Sequence, residues 1–355
     1  MRAPKDAHRL SAWCSLGRRR MLAVASLGAF MALFGAACGA GAPATGKRSC
    51  NGSPVLCSRT LNEVVFPGTH NSFAASDQPG WHFASQTYPI ARQLDAGIRA
   101  FLIDIHYGVY DPATGRVRTD LTAEGSDRNK VAQQLPASAL RVADRVAGGV
   151  GLGTLKGKPE PYLCHTLCEL GAEPLDRELN EIATFLREHP DQVLLVIVED
   201  YVPPSTIKRA FDSAGLTRYL ATLTPHAPLP TLGALINSDQ RLLVFAEVKG
   251  GSPTWYMPAF SFIQDTPLGA AHPGQLSCAR YRGNADSPIL LLNHWIPPFP
   301  PSPTLNAQIG RAAYLRGRIT RCTRERHISG AVVAVDFYQR TAVVKVAQEL
   351  NSRNR

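Results

Sequence analysis

Phe66-Pro67-Gly68-Thr69-His70-Asn71-Ser72-Phe73 is the stretch on which the reading of this chain turns. The apolar run Val64-Val65-Phe66 leading into it has the character of a strand. The Pro-Gly pair closes that strand, and a histidine and an asparagine emerge side by side in the loop beyond. Titratable side chains at the mouth of a strand are how barrel and other α/β enzymes present chemistry. Three later strands end alike: Asp104 closes an apolar run, His165 follows Tyr162-Leu163-Cys164, and Glu199-Asp200 follows Val193 to Val198. Two histidines and several acids at successive strand ends call for one explanation.

Outward from that stretch, short apolar runs alternate with helical patterns, the mark of βα repetition and an α/β fold. Strands are expected near 63–67, 98–106, 161–165, 192–199, 241–248, 289–295 and 331–337. Several are continuous in Val, Ile, Leu and Phe, as parallel strands covered on both faces require. Helices are expected near 87–96, 176–188, 204–214, 305–317 and 341–352. The second carries Leu175, Leu179, Ile182, Ala183 and Leu186 at helical spacing and stops before Pro190. No Gly/Ser linker divides 46–355, which reads as one domain interrupted by an insertion at 108–160. The insertion holds a helical pattern around 127–146 and the glycine run at 148–153. That run lacks the Lys and Ser/Thr of a phosphate-binding fingerprint and reads as a loop. Trp81, Trp255-Tyr256, Trp295 and Phe299 fall in or beside loops, where they either pack the loops or form a rim that touches lipid headgroups.

Composition limits the function classes. Among 355 residues, 45% are hydrophobic and 19% charged, which suits a globular chain with a sizeable core. The net charge of +10 is no sign of nucleic-acid binding, because the first twenty residues hold six basic side chains against one acid. Arg18-Arg19-Arg20 precede an apolar run from Met21 to Ala37, so residues 1–45 read as an export signal followed by a flexible tether. A transmembrane anchor is the alternative, though the run is short and rich in Ala and Gly. Gly35-Ala36-Ala37-Cys38 resembles a bacterial lipoprotein cleavage site, with Gly35 where such sites favour Leu. The expectation is an exported protein: periplasmic, extracellular, or lipid-anchored at the cell envelope through Cys38. Eight cysteines agree with export. Beyond Cys14 and Cys38, proximity favours Cys50 with Cys57, Cys164 with Cys168 and Cys278 with Cys322, one of about 15 pairings.

Imidazole titrates nearest neutrality, so one histidine can take a proton while another gives one. Asn71, Asp104 and Glu199 supply the hard oxygens that Ca²⁺ prefers. A cation beside two histidines suits phosphoryl chemistry, in which charge gathers on non-bridging oxygens and protons move on both sides of phosphorus.

Four motifs in order carry a resemblance: Thr69-His70-Asn71-Ser72-Phe73, Gly97-Ile98-Arg99-Ala100-Phe101-Leu102-Ile103-Asp104, Leu163-Cys164-His165 and Val196-Ile197-Val198-Glu199-Asp200-Tyr201. Together they resemble the X region of phosphatidylinositol-specific phospholipase C, and more nearly the X-domain-like phosphodiesterases. The likeness extends through Gln240 to Phe245 and Ala334 to Tyr338, so it spans roughly residues 60–352. It implies a single distorted or incomplete (β/α)8 TIM-type barrel with its site at the carboxyl ends of the strands. By the resemblance, His70 is the general base for the inositol 2-hydroxyl, His165 the general acid for the departing diacylglycerol oxygen, and Asp336 the carboxylate that orients His70. Asn71, Asp104 and Glu199 match calcium-ligand positions of the metal-dependent branch. Where that branch has a further glutamate, this chain has Leu102, so one carboxylate is missing. Lys249, Asn293 and His294, with Glu247, stand at strand ends fit to grip a headgroup.

The reading that follows is an exported phosphodiesterase acting at a membrane surface on a phosphoinositide or glycosyl-phosphatidylinositol lipid, with Ca²⁺ assisting. Glycerophosphodiester hydrolysis is a rival, but it would want an Arg after the first histidine and a Glu-x-Asp pair, whereas this chain has Asn71 and Leu102-Ile103-Asp104. A lipid- or glycan-binding surface lipoprotein with a vestigial site is the other rival. Leu102 is its best support, and retention of both histidines and Asp336 counts against it.

Overall fold

Apolar runs without alternation form strands buried on both faces. In chain order the strands are β1 (Val65–Thr69), β2 (Ala100–Asp111), β3 (Arg116–Thr119), β4 (Glu160–Leu163), β5 (Glu173–Pro174), β6 (Leu194–Asp200), β7 (Leu242–Ala246), β8 (Tyr256–Pro258), β9 (Ile263–Asp265), β10 (Ile289–His294) and β11 (Ala331–Val335). The computed structural model describes residues 49–121, 137–146, 157–298 and 300–353. The expected leader and tether, the glycine run, the first part of the insertion helix and Phe299 lie outside the described residues.

Eight of the strands run parallel in the order β8-β7-β6-β2-β1-β11-β10-β9. The sheet curls until its two ends share one interior. Phe66, Leu102, Ile197, Phe245, Met257, Ile263, Leu291 and Val332, one from each strand, belong to a single buried cluster. No ladder joins β8 to β9 among the described residues; the four-residue helix Ala259–Phe262 connects them instead. The chain is therefore an α/β protein built as an incomplete (β/α)8 barrel.

The opposite faces of the same strands, through Val65, Phe101, Ile103, Val196, Val244, Leu292 and Val333, pack under the helices in a second layer. Helices α1 (Ile90–Asp95), α3 (Leu175–Glu188), α4 (Pro204–Ser213), α8 (Ala312–Arg326) and α9 (Val343–Asn351) form this outer ring. The helices numbered between them are α2 (Ala137–Val146), α5 (Leu232–Asn237), α6 (Ala259–Phe262) and α7 (Pro303–Ile309). In α3 the predicted stripe of Leu175, Leu179, Ile182 and Leu186 is buried, and Asp176 and Glu178 in the first turn complement the helix dipole. The single helix expected at 305–317 is two, broken at Gly310. A Cβ there would lie 2.6 Å from the Thr341 side chain, so the chain turns where only glycine fits.

Two further expectations change. Pro67-Gly68 does not end β1, which runs on to Thr69. Gly68 is needed for close approach, since a Cβ there would come within 3.1 Å of Ala100 on β2. The insertion begins as an extension of β2 beyond the barrel, pairing antiparallel with β3 and β4. The three expected disulfides, Cys50–Cys57, Cys164–Cys168 and Cys278–Cys322, are all formed.

The final helix is clasped to β1. Asn351 accepts from the Val65 N–H at 2.9 Å and donates to the Val65 carbonyl at 2.9 Å, both buried. Asn351→Ala leaves a buried donor and acceptor unpaired, and is expected to cost about 2–4 kcal/mol. Urea unfolding checks this; an unchanged midpoint would show that the clasp contributes nothing.

Candidate active site

Strand alternation places the site. Counting by twos along each strand, Phe66 and Gly68 lead inward to His70, and Ala100 and Leu102 lead to Asp104. In the same way Leu195 and Ile197 lead to Glu199, Leu243 and Phe245 to Glu247, Ile289 and Leu291 to Asn293, and Val332 and Ala334 to Asp336. Each polar residue is the first inward position past the apolar interior, so they converge on one cleft at the carboxyl ends of the strands. The cleft is lined by His70, Asn71, Asp104, His165, Glu199, Glu247, Arg282, Asn293 and Trp295, with Leu102, Ile197 and Leu268 at its walls.

The two histidines each have a carboxylate partner. His70 Nδ1 lies 2.9 Å from Asp336 Oδ1, and His165 Nδ1 lies 2.8 Å from Asp104 Oδ2. An ionised carboxylate can only accept, so both Nδ1 atoms donate and both Nε2 atoms are free for chemistry. The first pair follows from register: β1 and β11 are neighbours with Thr69 opposite Val335, so the residues after them stand side by side. Gln86, fully buried, staples the two strand ends by donating to the carbonyls of His70 (2.8 Å) and Val335 (3.0 Å). The second pair is made where the Cys164 N–H bonds the Asp104 carbonyl and brings β4's end against β2.

The backbone bends sharply after each of three residues. Asn71 (φ 42°), Thr166 (φ 62°) and Phe337 (φ 49°) directly follow His70, His165 and Asp336, all in the left-handed region. Asn tolerates this, but a β-branched Thr and a bulky Phe do so at a cost. Such strain gathers where structure is held for a purpose.

Electrostatics separate the groups. Burial alone would lower the pKa of His165, but the hydrogen bond and charge of Asp104, with Glu199 and Asp336 behind it, outweigh burial and raise it. Burial raises Asp336 against the pull of His70. Glu199 is raised by burial and by the charge of Asp104, with the Tyr201 hydroxyl that donates to it opposing. Burial lifts Glu247 to about 7, partly offset by Arg282.

Arg282 is the residue that sequence reasoning missed. It reaches into the cleft from the loop before β10, bonding Glu247 Oε2 at 2.6 Å and Asp265 Oδ2 at 2.7 Å, while 29% of its side chain stays accessible. It is a fixed positive charge in a cleft otherwise rich in carboxylates.

Of the candidate residues, the structure brings His70, His165, Asn71, Asp104, Glu199 and Asn293 into the cleft lining, with Asp336 behind His70. Asn293 is 2% exposed, and its Oδ1 has no hydrogen-bond partner. His294 is not in the cleft. The alternation that turns Asn293 inward turns His294 outward, where it packs between Arg318 and the Ile309 carbonyl. Burial and the Arg318 charge push its pKa down to about 3, so it is a neutral core residue. Lys249 lies outside the cleft lining and donates its ammonium to the Tyr201 carbonyl at 2.7 Å. Of the two readings open for the loop aromatics, packing within the protein is the one found for Trp81, Trp255 and Trp295. Trp255 is buried against Phe211, Trp81 donates to Glu173, and Trp295 stacks on His70. The large apolar side chains exposed near the mouth are Val248, Leu268 and Tyr281.

Among the described residues, no three His, Cys, Asp or Glu side chains form a metal-holding group. One oxygen of Asp104 is engaged by His165 and one of Glu199 by Tyr201, and Leu102 leaves the place of a third acid apolar. The remaining donors, with Asn71, fit a largely hydrated, weakly held Ca²⁺ and not a dedicated protein cage.

The cleft holds about 60 Å³. That is far below the roughly 300–1,000 Å³ of a pocket enclosing a drug-sized ligand. It is a shallow pit at the barrel mouth, and the bulk of any larger ligand must lie over its rim. A groove of about 590 Å³ lies elsewhere, lined by Tyr107, Lys158, Tyr162, Thr206 and Arg209, and contains neither histidine pair.

The family model described as PI-PLC X 1 matches residues 139–351, more than half of the chain, including His165, Glu199, Asn293 and Asp336. A PI-PLC X domain-containing protein of Arabidopsis thaliana is 31% identical over 97 residues, which cover 24% of this chain and 23% of that protein. Among solved structures, the phosphatidylinositol-specific phospholipase C of Listeria monocytogenes aligns over 84% of this chain and 98% of its own, at 14% identity and a TM-score of 0.48. The corresponding Staphylococcus aureus enzyme aligns over 84% and 94%, at 13% identity and a TM-score of 0.47.

Proposed function

Because this chain belongs to the PI-PLC X family, we propose that it is a phosphodiesterase cleaving phosphatidylinositol-type lipids by paired histidine acid–base catalysis. The carrying observation is that two imidazoles, each backed through Nδ1 by its own carboxylate, line one cleft. In this reading His70 Nε2 takes the proton of the inositol 2-hydroxyl as that oxygen attacks phosphorus. The bond from phosphorus to the diacylglycerol oxygen breaks, and His165 Nε2 gives that oxygen its proton. The product is a 1,2-cyclic inositol phosphate. The raised pKa of His165 favours its charged form, as a proton donor requires. Arg282 stands ready for the non-bridging oxygens, and the unpartnered Oδ1 of Asn293 for a headgroup hydroxyl. Val248, Leu268 and Tyr281 offer apolar surface where a lipid would lie. Three disulfides support folding in an oxidising compartment, in keeping with export.

The test is ³¹P NMR of phosphatidylinositol vesicles incubated with the protein. Appearance of the cyclic phosphate resonance is expected. Binding to the vesicles without turnover would instead make the chain a lipid-binding protein on the same barrel.

Asn71, Asp104 and Glu199 would hold Ca²⁺, which when bound supplies positive charge to the phosphate. With one acid missing, half-maximal stimulation is expected at roughly 10⁻⁴–10⁻³ M Ca²⁺. Leu102→Glu restores a carboxylate at the cleft wall and is expected to tighten Ca²⁺ by about tenfold, read by calorimetry and by activity. Full activity in metal-stripped protein under chelator, together with an unchanged Leu102→Glu titration, would remove calcium from the proposal.

A further inference from the structure

Trp295 and His70 meet face to face, with ring centroids 3.8 Å apart and planes within 4°. The proposed chemistry uses no indole, so the stack needs a reason of its own.

The backbone of His70 is fixed: its N–H donates to the Val335 carbonyl at 3.0 Å and its own carbonyl accepts from Gln86 at 2.8 Å. Its ring is less constrained, because the terminal torsion of histidine has broad wells and one hydrogen bond to Asp336 permits rocking about that bond. A parallel indole at van der Waals separation removes this freedom, since tilting the imidazole drives its edge into the plate. The plate is itself held. Trp295 is 6% exposed and belongs to the barrel-interior cluster. On one side of it the Asn293 N–H donates to Thr266 Oγ1 at 3.0 Å. On the other, Asn306 clamps Ile296, accepting from its N–H at 2.9 Å and donating to its carbonyl at 3.1 Å. His165, by contrast, leaves half of its side chain exposed.

We infer that Trp295 is the positioning residue of the catalytic base, holding the His70 ring so that Nε2 faces the cleft. The inference rests on the reading of His70 as the base. Asn306, through Ile296, steadies the plate.

The test uses the full chain and the variants Trp295→Leu, Trp295→Phe, Asn306→Ala and His70→Gln. Proton NMR of ¹³C-labelled histidine is read alongside steady-state cleavage of phosphatidylinositol. In the parent, the ring protons of His70, identified by their loss in His70→Gln, are displaced upfield by the indole ring current. Trp295→Leu is expected to abolish that displacement and to lower kcat by about 30–100-fold with KM within about threefold, the signature of a misplaced group. Trp295→Phe keeps an aromatic plate and is expected to recover kcat to within about fivefold of the parent. Asn306→Ala touches neither ring, yet is expected to lower kcat in the same sense by a smaller factor, and it stands in if Trp295→Leu does not fold. Parent-like kcat after the displacement is lost, or a loss confined to KM, overturns the inference. A parent that cleaves no phosphodiester removes the base and the inference with it. The persisting upfield signal would distinguish that failure from an absent stack.

Discussion

His70→Ala is expected to lower turnover of phosphatidylinositol by about 10³-fold or more, within the range that a positioned acid or base contributes. His165→Ala should match it on the lipid, whose leaving group is a poor alkoxide. The two variants should then part company on a phosphodiester carrying a nitrophenolate leaving group. That departure needs no proton, so His165→Ala should recover most of its activity there while His70→Ala stays inactive. The same assignment fixes a pH effect. The acid must be protonated to act, and Asp104 is the main opponent of the burial that would lower the pKa of His165. Asp104→Asn removes the raising charge, so the alkaline limb of the pH–rate profile should move to lower pH. Equal behaviour of the two histidine variants on both substrates would undo the division into base and acid.

The second large effect concerns the Cys164–Cys168 disulfide, whose short loop contains His165. Within that loop Thr166 sits at φ 62° and the Leu167 N–H folds back on the His165 carbonyl at 2.7 Å. A β-branched residue abandons that conformation once released. Replacing both cysteines by serine is therefore expected to cut kcat by about 10²-fold, the cost of roughly an ångström of misplacement. Unfolding free energy should fall by only about 2 kcal/mol, the chain-entropy value for so short a loop. Catalysis at the parental rate in the disulfide-free protein would mean that His165 is placed by its bond to Asp104 alone.

Much of the fold was legible because its strands are long apolar runs with a polar residue at the end. Alternation then carries His70, Asp104, Glu199 and Asp336 to one place, and those residues could be named before any coordinates. β8 and β9 were not legible, since Tyr256-Met257-Pro258 and Ile263-Gln264-Asp265 are too short to display a period. Arg282 had no signal: it sits in a loop and enters the cleft only because Glu247, just past β7, and Asp265, at the end of β9, converge on it. Gln86 was invisible for the same reason, its partners being backbone carbonyls far along the chain. His294 is the opposite case. Being adjacent to Asn293, it had to face the other way, and the period of two already said so. The role of Asp104 as partner to His165 depends on β4 crossing back onto β2, a long-range pairing that no local pattern encodes.

His70 and Asp336 are 266 positions apart yet adjacent in the sheet. While the polypeptide is still emerging from the ribosome, β1 presents a bare flank and its histidine has no acid beside it. Docking of the β11 strand supplies both at once, and so distant a pairing forms late. If His70 is the base proposed above, the nascent chain has no working base until its first and last strands have paired.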